Sequence, residues 1–221
     1  VNAMVTPTSG TVFVRCQDVA GEDPVRLRRS IGYVLQEGGL FPHRTIADNV
    51  ATVPRLEGAS KQASRERALE LLELVGLETE MADRYPAQLS GGQRQRVGVA
   101  RALANRADIL LMDEPFGALD PLVRADLQRE LKEIQRALGT TILFVTHDVD
   151  EAFTLGDQVA VLSTGGRIEQ VGAPTELLTA PTSPFVADFV GASRAARPVR
   201  VSGPGGLVVD EAGTPVGTLT Q

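Results

Sequence analysis

Helical periodicity is clearest in the middle of the chain. Between residues 61 and 75 apolar side chains recur every three or four positions, and Gly76 stands where such a helix would end. A longer amphipathic segment follows Asp120 and Pro121, an N-cap residue and a first-turn proline, and Gly139 closes it. Its inner face consists of Leu127, Leu131, Ile134 and Leu138. The pattern predicts two long helices with their own boundary signals.

Strand patterns alternate with these helices. Residues 109–112 and 141–145 are nearly uninterrupted apolar runs, which are typical of strands buried on both faces. Shorter patterns predict strands over residues 11–15, 31–36, 158–162 and 168–171, and helices over residues 93–104 and 148–155. Buried strands separated by helices indicate an α/β domain with a largely parallel sheet.

The texture changes near the C-terminus. Residues 192–206 are rich in Ala, Arg, Pro, Ser and Gly, which is typical of a linker. Two short apolar runs, residues 207–209 and 216–219, then predict a small hairpin. We therefore expect a domain over residues 1–190, a linker over 191–206 and a hairpin tail over 207–221.

Composition and charge exclude several classes of protein. The 221 residues are 43% hydrophobic and 23% charged, as in soluble globular proteins. A net charge of -6 argues against a nucleic-acid partner. The single cysteine, Cys16, excludes an internal disulfide and is interpreted as a small buried or half-buried thiol. Because no membrane-spanning run or signal-peptide pattern is found, we expect a cytoplasmic protein that can sit against a membrane partner.

One candidate site for a phosphate group opens the helix at residues 93–104. Ser90, Gly91 and Gly92 precede Gln93 there. Glycines at a helix start let backbone N–H groups approach an anion, which the helix dipole also favours. Ser90 adds a hydroxyl donor. Taken alone, the same residues are also compatible with an ordinary loop.

A second candidate site follows two apolar runs. Asp113 and Glu114 end the first run, and His147 follows the second. Ligands of open α/β sheets bind beyond the carboxyl ends of strands, so these side chains are expected at one sheet edge. Asp113 could hold Mg²⁺, and Glu114 could polarise an attacking water. A solvated helix start and a surface cap are the plain alternatives.

The order and spacing of these features resemble the nucleotide-binding subunits of ABC transporters. The resemblance covers residues 1–190. It rests on the signature motif at residues 89–93, the Walker B strand at 109–114, the D-loop at 118–120, the Q-loop Gln36 and the switch His147. Within that family, the chain is most similar to the branch of importers for glycine betaine, choline and other quaternary amines. This closer resemblance lies in residues 23–29, 31–36 and 39–43.

The resemblance implies a P-loop NTPase-like α/β fold with a helical subdomain, about residues 42–105, that carries the signature motif. It also implies a loop of the form Gly-x-x-x-x-Gly-Lys-Ser/Thr ahead of Gln36. The two lysines, Lys61 and Lys132, both follow Gln36, so the given sequence lacks this loop. We expect the chain to begin just downstream of it. The tail resembles part of a CBS domain, although a plain surface hairpin explains it equally well.

The resemblance also implies roles for individual residues. Glu114 would be the general base for ATP hydrolysis, and His147 would contact the γ-phosphate. Asp113 and Gln36 would bind Mg²⁺ and its surrounding water. The remaining residues would bind ATP held by the opposite subunit or couple the two sites: Ser90, Gly91, Gly92, Gln93 and Asp120.

The partners implied in this way are an identical or second ATPase subunit, a membrane-spanning permease and, indirectly, a substrate-binding protein. The chain would then lie at the cytoplasmic face of the membrane as part of a quaternary amine importer. The missing lysine leaves another hypothesis open. The chain would then be a non-catalytic binding module that docks on the permease or on a full-length subunit. An unproductive gene remnant is the third possibility.

Overall fold

Short strands alternate with helices throughout the computed structural model, which describes residues 1–117, 119–191, 200–201, 207–209 and 215–218. The chain divides into two units, Val1–His147 and Asp148–Gln221. The elements of the first unit are β1 (Phe13–Val14), β2 (Gln17–Asp18), α1 (Pro24–Ser30), β3 (Gly32–Val34), α2 (Ile46–Val50), α3 (Thr52–Leu56), α4 (Lys61–Leu74), α5 (Gly91–Leu103), β4 (Ile109–Asp113), α6 (Pro121–Leu138) and β5 (Thr141–Val145). Those of the second are α7 (Val149–Leu155), β6 (Val159–Ser163), β7 (Arg167–Gly172), α8 (Pro174–Thr179), α9 (Pro184–Phe189), β8 (Arg200–Val201), β9 (Leu207–Val209) and β10 (Pro215–Thr218).

A parallel sheet of order β3-β4-β5 organises the first unit. Val34 pairs with Met112, which pairs in turn with Phe144. The three strands therefore end at the same edge of the sheet. Leu110, Leu111 and Met112 of the central strand are buried. The α/β fold with parallel strands is confirmed.

The expectation that both apolar runs form buried strands is wrong for β5. Leu143 and Val145 are 52% and 62% exposed. Among the described strands, β5 pairs with β4 alone. A hydrophobic pattern reports which side chains are apolar, but burial depends on whether a neighbour covers them.

The two long helices begin and end where their sequence signals predict. Ser60 Oγ accepts a hydrogen bond from the Ala63 N–H at 3.1 Å, and an Asp120 carboxylate oxygen accepts one from the Val123 N–H at 3.1 Å. Gly139 follows α6 in the left-handed region at φ 63°. These local caps satisfy backbone groups that the helix ends leave unpaired.

Residues 42–105 contain the helices α2, α3, α4 and α5 and the segments that connect them. Helices α2, α4 and α5 pack against one another around buried aliphatic side chains, among them Ile46, Leu71 and Val97. None of the helices in the described ranges is long and apolar enough to cross a bilayer.

The N-terminal hairpin differs from the prediction. The strand expected at residues 11–15 is limited to β1, which pairs with β2 in an antiparallel arrangement. Cys16 lies in the connecting turn at φ 62° and is exposed rather than buried.

The second unit is built on an antiparallel pair, β6 and β7. Gly165 and Gly166 connect them at φ 81° and 75°, values that glycine adopts without strain. Val161, Leu177, Val186 and Val190 form its buried core. Strand β9 pairs with both β8 and β10. Residues 192–199 and 202–206 of the expected linker, and 210–214 and 219–221 of the expected tail, lie outside the described residues.

Candidate active site

The carboxyl ends of β3 and β4 bring the first group of expected site residues together. Asp113 is the last residue of β4, and Glu114 follows it. Gln36 begins a 3₁₀ turn, Gln36–Gly39, shortly after β3. Because Val34 pairs with Met112, Gln36 and Glu114 leave the sheet at equivalent points. This register is the physical basis of the site.

Glu114 has an unusual backbone conformation. Its φ is 42°, in the left-handed region that residues other than glycine rarely adopt. The Glu114 N–H donates to the Val145 carbonyl of β5 at 2.9 Å, and its own carbonyl accepts from the Gly117 N–H at 3.2 Å. These two hydrogen bonds hold the turn that directs the Glu114 side chain.

Glu114 and His147 are in direct contact. His147 Nδ1 lies 3.2 Å from Glu114 Oε1. The histidine side chain is 76% exposed, whereas that of the glutamate is 35% exposed. An Nδ1–H that donates to the carboxylate leaves the opposite ring nitrogen, Nε2, available for a ligand.

Gly117 leaves space between Glu114 and Gln36. A Cβ at this position would lie 3.5 Å from Glu114 Oε2 and 3.8 Å from Gln36 Nε2. A carboxylate oxygen and an amide therefore border the same small volume. Gly117 was not among the sequence candidates, and only its place soon after Glu114 could have drawn attention to it.

Asp113 and Gln36 provide oxygen atoms suited to Mg²⁺. Both residues are exposed, and within the described ranges neither side chain makes a hydrogen bond or an ion pair. No cluster of three His, Cys, Asp or Glu side chains among those residues could hold a metal by itself. Mg²⁺ usually binds a few protein oxygen atoms and completes its coordination with water and phosphate oxygens. Asp113 and Gln36 therefore fit that ion.

The second group of expected site residues lies at the start of α5. Ser90 and Gln93 form a capping box, in which Ser90 Oγ accepts from the Gln93 N–H at 3.2 Å and Gln93 Oε1 accepts from the Ser90 N–H at 2.9 Å. The backbone N–H groups of Gly91 and Gly92 donate to no acceptor within the described residues. Gln93 thus shapes the helix start, while the two glycines present its free donors.

The start of α6 packs against the start of α5. A Cβ on Gly91 would lie 3.5 Å from Leu119 Cδ2, and one on Gly92 would lie 2.7 Å from Val123 Cγ1. The Asp120 carboxylate caps α6. The structure therefore places the expected residues in two groups, with Gln36, Asp113, Glu114 and His147 in one and Ser90, Gly91, Gly92, Gln93 and Asp120 in the other.

Comparison with known proteins settles the family. A profile of the ABC transporter family matches residues 1–117, more than half of the chain. The chain belongs to the ABC transporter family. It is similar in fold to the dimeric ATP-binding cassette MJ0796 in a post-hydrolysis state bound to ADP and Pi. The TM-score is 0.68 at 35% identity, over 78% of this chain and 76% of the other.

Relatives of this ABC chain carry transport names. It is 52% identical over 194 residues to the carnitine transport ATP-binding protein OpuCA of Listeria monocytogenes, which covers 88% of this chain and 49% of the relative. It is 51% identical to the glycine betaine/carnitine/choline transport ATP-binding protein OpuCA of Bacillus subtilis, over 88% of this chain and 51% of the relative. The chain therefore spans about half the length of these relatives.

Proposed function

We propose that the protein is the ATP-binding and ATP-hydrolysing subunit of an importer for quaternary amines. The contact between Glu114 and His147, beside Gln36, is the observation that carries the proposal. Family membership and the names of the two relatives support the substrate class, because they include carnitine, glycine betaine and choline.

Glu114 is suited to activate the attacking water. One carboxylate oxygen faces His147, and the other borders the space at Gly117. A water in that space transfers a proton to the carboxylate as its oxygen attacks the γ-phosphorus. The bond to the β-phosphate oxygen breaks, and ADP and inorganic phosphate are the products.

His147 and Gln36 orient the reacting groups. With Nδ1 directed to Glu114, the opposite ring nitrogen of His147 contacts a γ-phosphate oxygen. The Gln36 amide lies on the other side of the Gly117 space and positions the water. Asp113 and Gln36 would hold Mg²⁺, which would supply positive charge near the phosphate oxygens.

The N-terminus of α5 is suited to bind an anion supplied by another subunit. Gly91 and Gly92 present free N–H groups at the positive end of the helix, and the Ser90 hydroxyl lies beside them. We propose that these groups bind the γ-phosphate of ATP on a second ATPase subunit, across an interface that Asp120 borders. The dimeric ATP-binding cassette to which the chain is similar supports this arrangement. A membrane permease and a substrate-binding protein complete the proposed importer at the inner face of the membrane.

The decisive experiment compares the native protein, reconstituted with its permease, with its Glu114→Gln variant. We expect the variant to bind ATP and to lose hydrolysis by about 100-fold or more. Glu133→Gln, the same change on an exposed position of α6, is the matched control and is expected to hydrolyse ATP normally. Full hydrolysis by Glu114→Gln would overturn the role of Glu114. If the native protein does not bind ATP, the result would favour the hypothesis of a non-catalytic binding module.

A further inference from the structure

The turn that follows Gln36 relies on two glycines. In the 3₁₀ turn Gln36–Gly39, Gly38 and Gly39 have φ values of 78° and 54°. A hydrogen bond from the Gly38 N–H to the Leu35 carbonyl closes the turn at 3.0 Å. Glycine backbone is conformationally free, so the position of Gln36 depends on contacts that hold this turn in place.

Helix α5 lies against this turn, backbone to backbone. A Cβ on Gly38 would lie 2.6 Å from the Arg94 carbonyl oxygen. A Cβ on Gly98 would lie 3.1 Å from Gly38 Cα. Since α5 begins next to Ser90, a single helix contacts the Gln36 turn, from Arg94 onward, and carries the anion-binding group at its start.

Arg101 joins the two elements by directional hydrogen bonds. It lies one helical turn beyond Gly98, and its Nη1 donates to the Gly39 carbonyl at 2.7 Å. Its Nη2 donates to the Gly38 carbonyl at 2.9 Å. Within the described residues no carboxylate lies in salt-bridge range of this half-buried guanidinium, and burial lowers its pKa. Its polar partners are thus the two carbonyls of the turn.

We propose that Arg101 is a positioning residue that fixes the Gln36 amide relative to Glu114 by holding the Gly38 and Gly39 carbonyls at the end of the turn. The proposal rests on the proposed function, because it concerns the water-positioning role of Gln36. The planar guanidinium suits this task, since its two parallel N–H donors fix direction as well as distance. A movement of α5 would therefore reach Gln36 through Arg101.

The test is a double-mutant cycle in the native protein with its permease, using Arg101→Met, Gln36→Ala and both together. We expect Arg101→Met to lower kcat about 10-fold and to leave KM for Mg²⁺-ATP within about twofold. In the Gln36→Ala background the same change is expected to have no further effect. Arg101→Lys keeps the positive charge but lacks the two parallel N–H donors of the guanidinium, so it should recover only part of the rate that Arg101→Met loses. Arg65→Met, which removes an exposed guanidinium paired with Asp83, is the control and should leave kcat unchanged.

A second measurement needs no ATP. Amide hydrogen exchange of the chain should show faster exchange over residues 36–40 in Arg101→Met, with α4 unchanged. Unchanged exchange over residues 36–40 would overturn the proposal, as would a rate loss that is equally large in the Gln36→Ala background. ATP binding and hydrolysis by the native protein separate the two hypotheses. If the native protein neither binds nor hydrolyses ATP, the proposed function fails, whereas the exchange measurement continues to test Arg101.

Discussion

His147 Nδ1 lies 3.2 Å from Glu114 Oε1, and the two residues follow neighbouring parallel strands, β5 and β4. The contact joins a largely exposed imidazole to a carboxylate whose backbone is bonded to the end of β5 at the Val145 carbonyl. The register of the sheet thus brings this pair to one edge, and the left-handed backbone of Glu114 completes the contact.

The first prediction concerns His147. Replacement by Ala removes a proposed phosphate contact and leaves Glu114 without its orienting partner, so we expect ATP hydrolysis to fall about 100-fold or more. ATP affinity and thermal stability should change little, because the side chain is 76% exposed. Steady-state hydrolysis, nucleotide binding and thermal unfolding measure the three quantities. A loss of folding rather than of turnover would contradict a catalytic role.

The second prediction concerns the space beside Gly117. An Ala side chain fits there without a clash, at 3.5 Å from Glu114 Oε2 and 3.8 Å from Gln36 Nε2, but it fills volume that the attacking water needs. We expect Gly117→Ala to fold normally and to lose about 10-fold in kcat. Gly21→Ala is the matched control, because a Cβ there would meet no atom within 4 Å. Equal rates in the two variants would show that no reacting group occupies the space.

The third prediction concerns Asn49, which is fully buried in α2. Its Oδ1 accepts from the Phe41 N–H at 2.7 Å, and its Nδ2 donates to the carbonyls of Phe41, Arg44 and Thr45 at 3.1, 3.2 and 2.9 Å. Asn49→Ala removes the partner of the Phe41 N–H and of the Arg44 carbonyl, whereas the Phe41 and Thr45 carbonyls keep backbone donors, so the free energy of unfolding should fall by about 3 kcal/mol.

Urea unfolding measures this loss. Asn105→Ala removes a single hydrogen bond, from Nδ2 to the Arg29 carbonyl at 3.0 Å, and should cost about 1 kcal/mol. Similar losses of unfolding free energy in Asn49→Ala and Asn105→Ala would mean that the additional hydrogen bonds of Asn49 do not stabilise the loop from Phe41 to Arg44.

The fourth prediction is a pH dependence. Arg15 Nε donates to Asp108 Oδ2 at 2.8 Å, and this hydrogen bond lowers the pKa of Asp108. A carboxyl group whose pKa is lowered by folding stabilises the protein above its ordinary pKa of about 4, and the contribution is lost as the pH falls. Because the side chains are 36% and 61% exposed, we expect Asp108→Asn to cost only about 0.5 kcal/mol at pH 7.

The difference between wild type and Asp108→Asn should shrink towards zero as urea unfolding is repeated below about pH 4. High salt at pH 7 should reduce it as well. A loss that does not depend on pH would show that it does not come from the negative charge of Asp108.

The sequence predicted features that depend on local chemistry. Asp120, Pro121 and Gly139 fix the ends of α6 through contacts within a few residues, so the helix could be placed correctly. The common edge for Glu114 and His147 followed from the order of strands. Their 3.2 Å contact did not, because it depends on the φ of 42° at Glu114, which no sequence pattern indicates.

Other features depend on groups that are distant in the sequence. The exposure of Leu143 reflects which strands lie beside β5, and a run of apolar residues carries no such information. Arg101 donates to a carbonyl 62 residues away. The acceptor is a backbone carbonyl, which every residue has, so the sequence does not indicate it. Only the fold identifies the contact.

The left-handed backbone at Glu114 has an evolutionary consequence. A glycine would adopt a φ of 42° with about 1 kcal/mol less strain, but it would also remove the carboxylate. The most stable residue at this position and the active one are therefore different. Where a copy is still selected for a folded, binding-competent chain but no longer for turnover, glycine would be favoured at position 114.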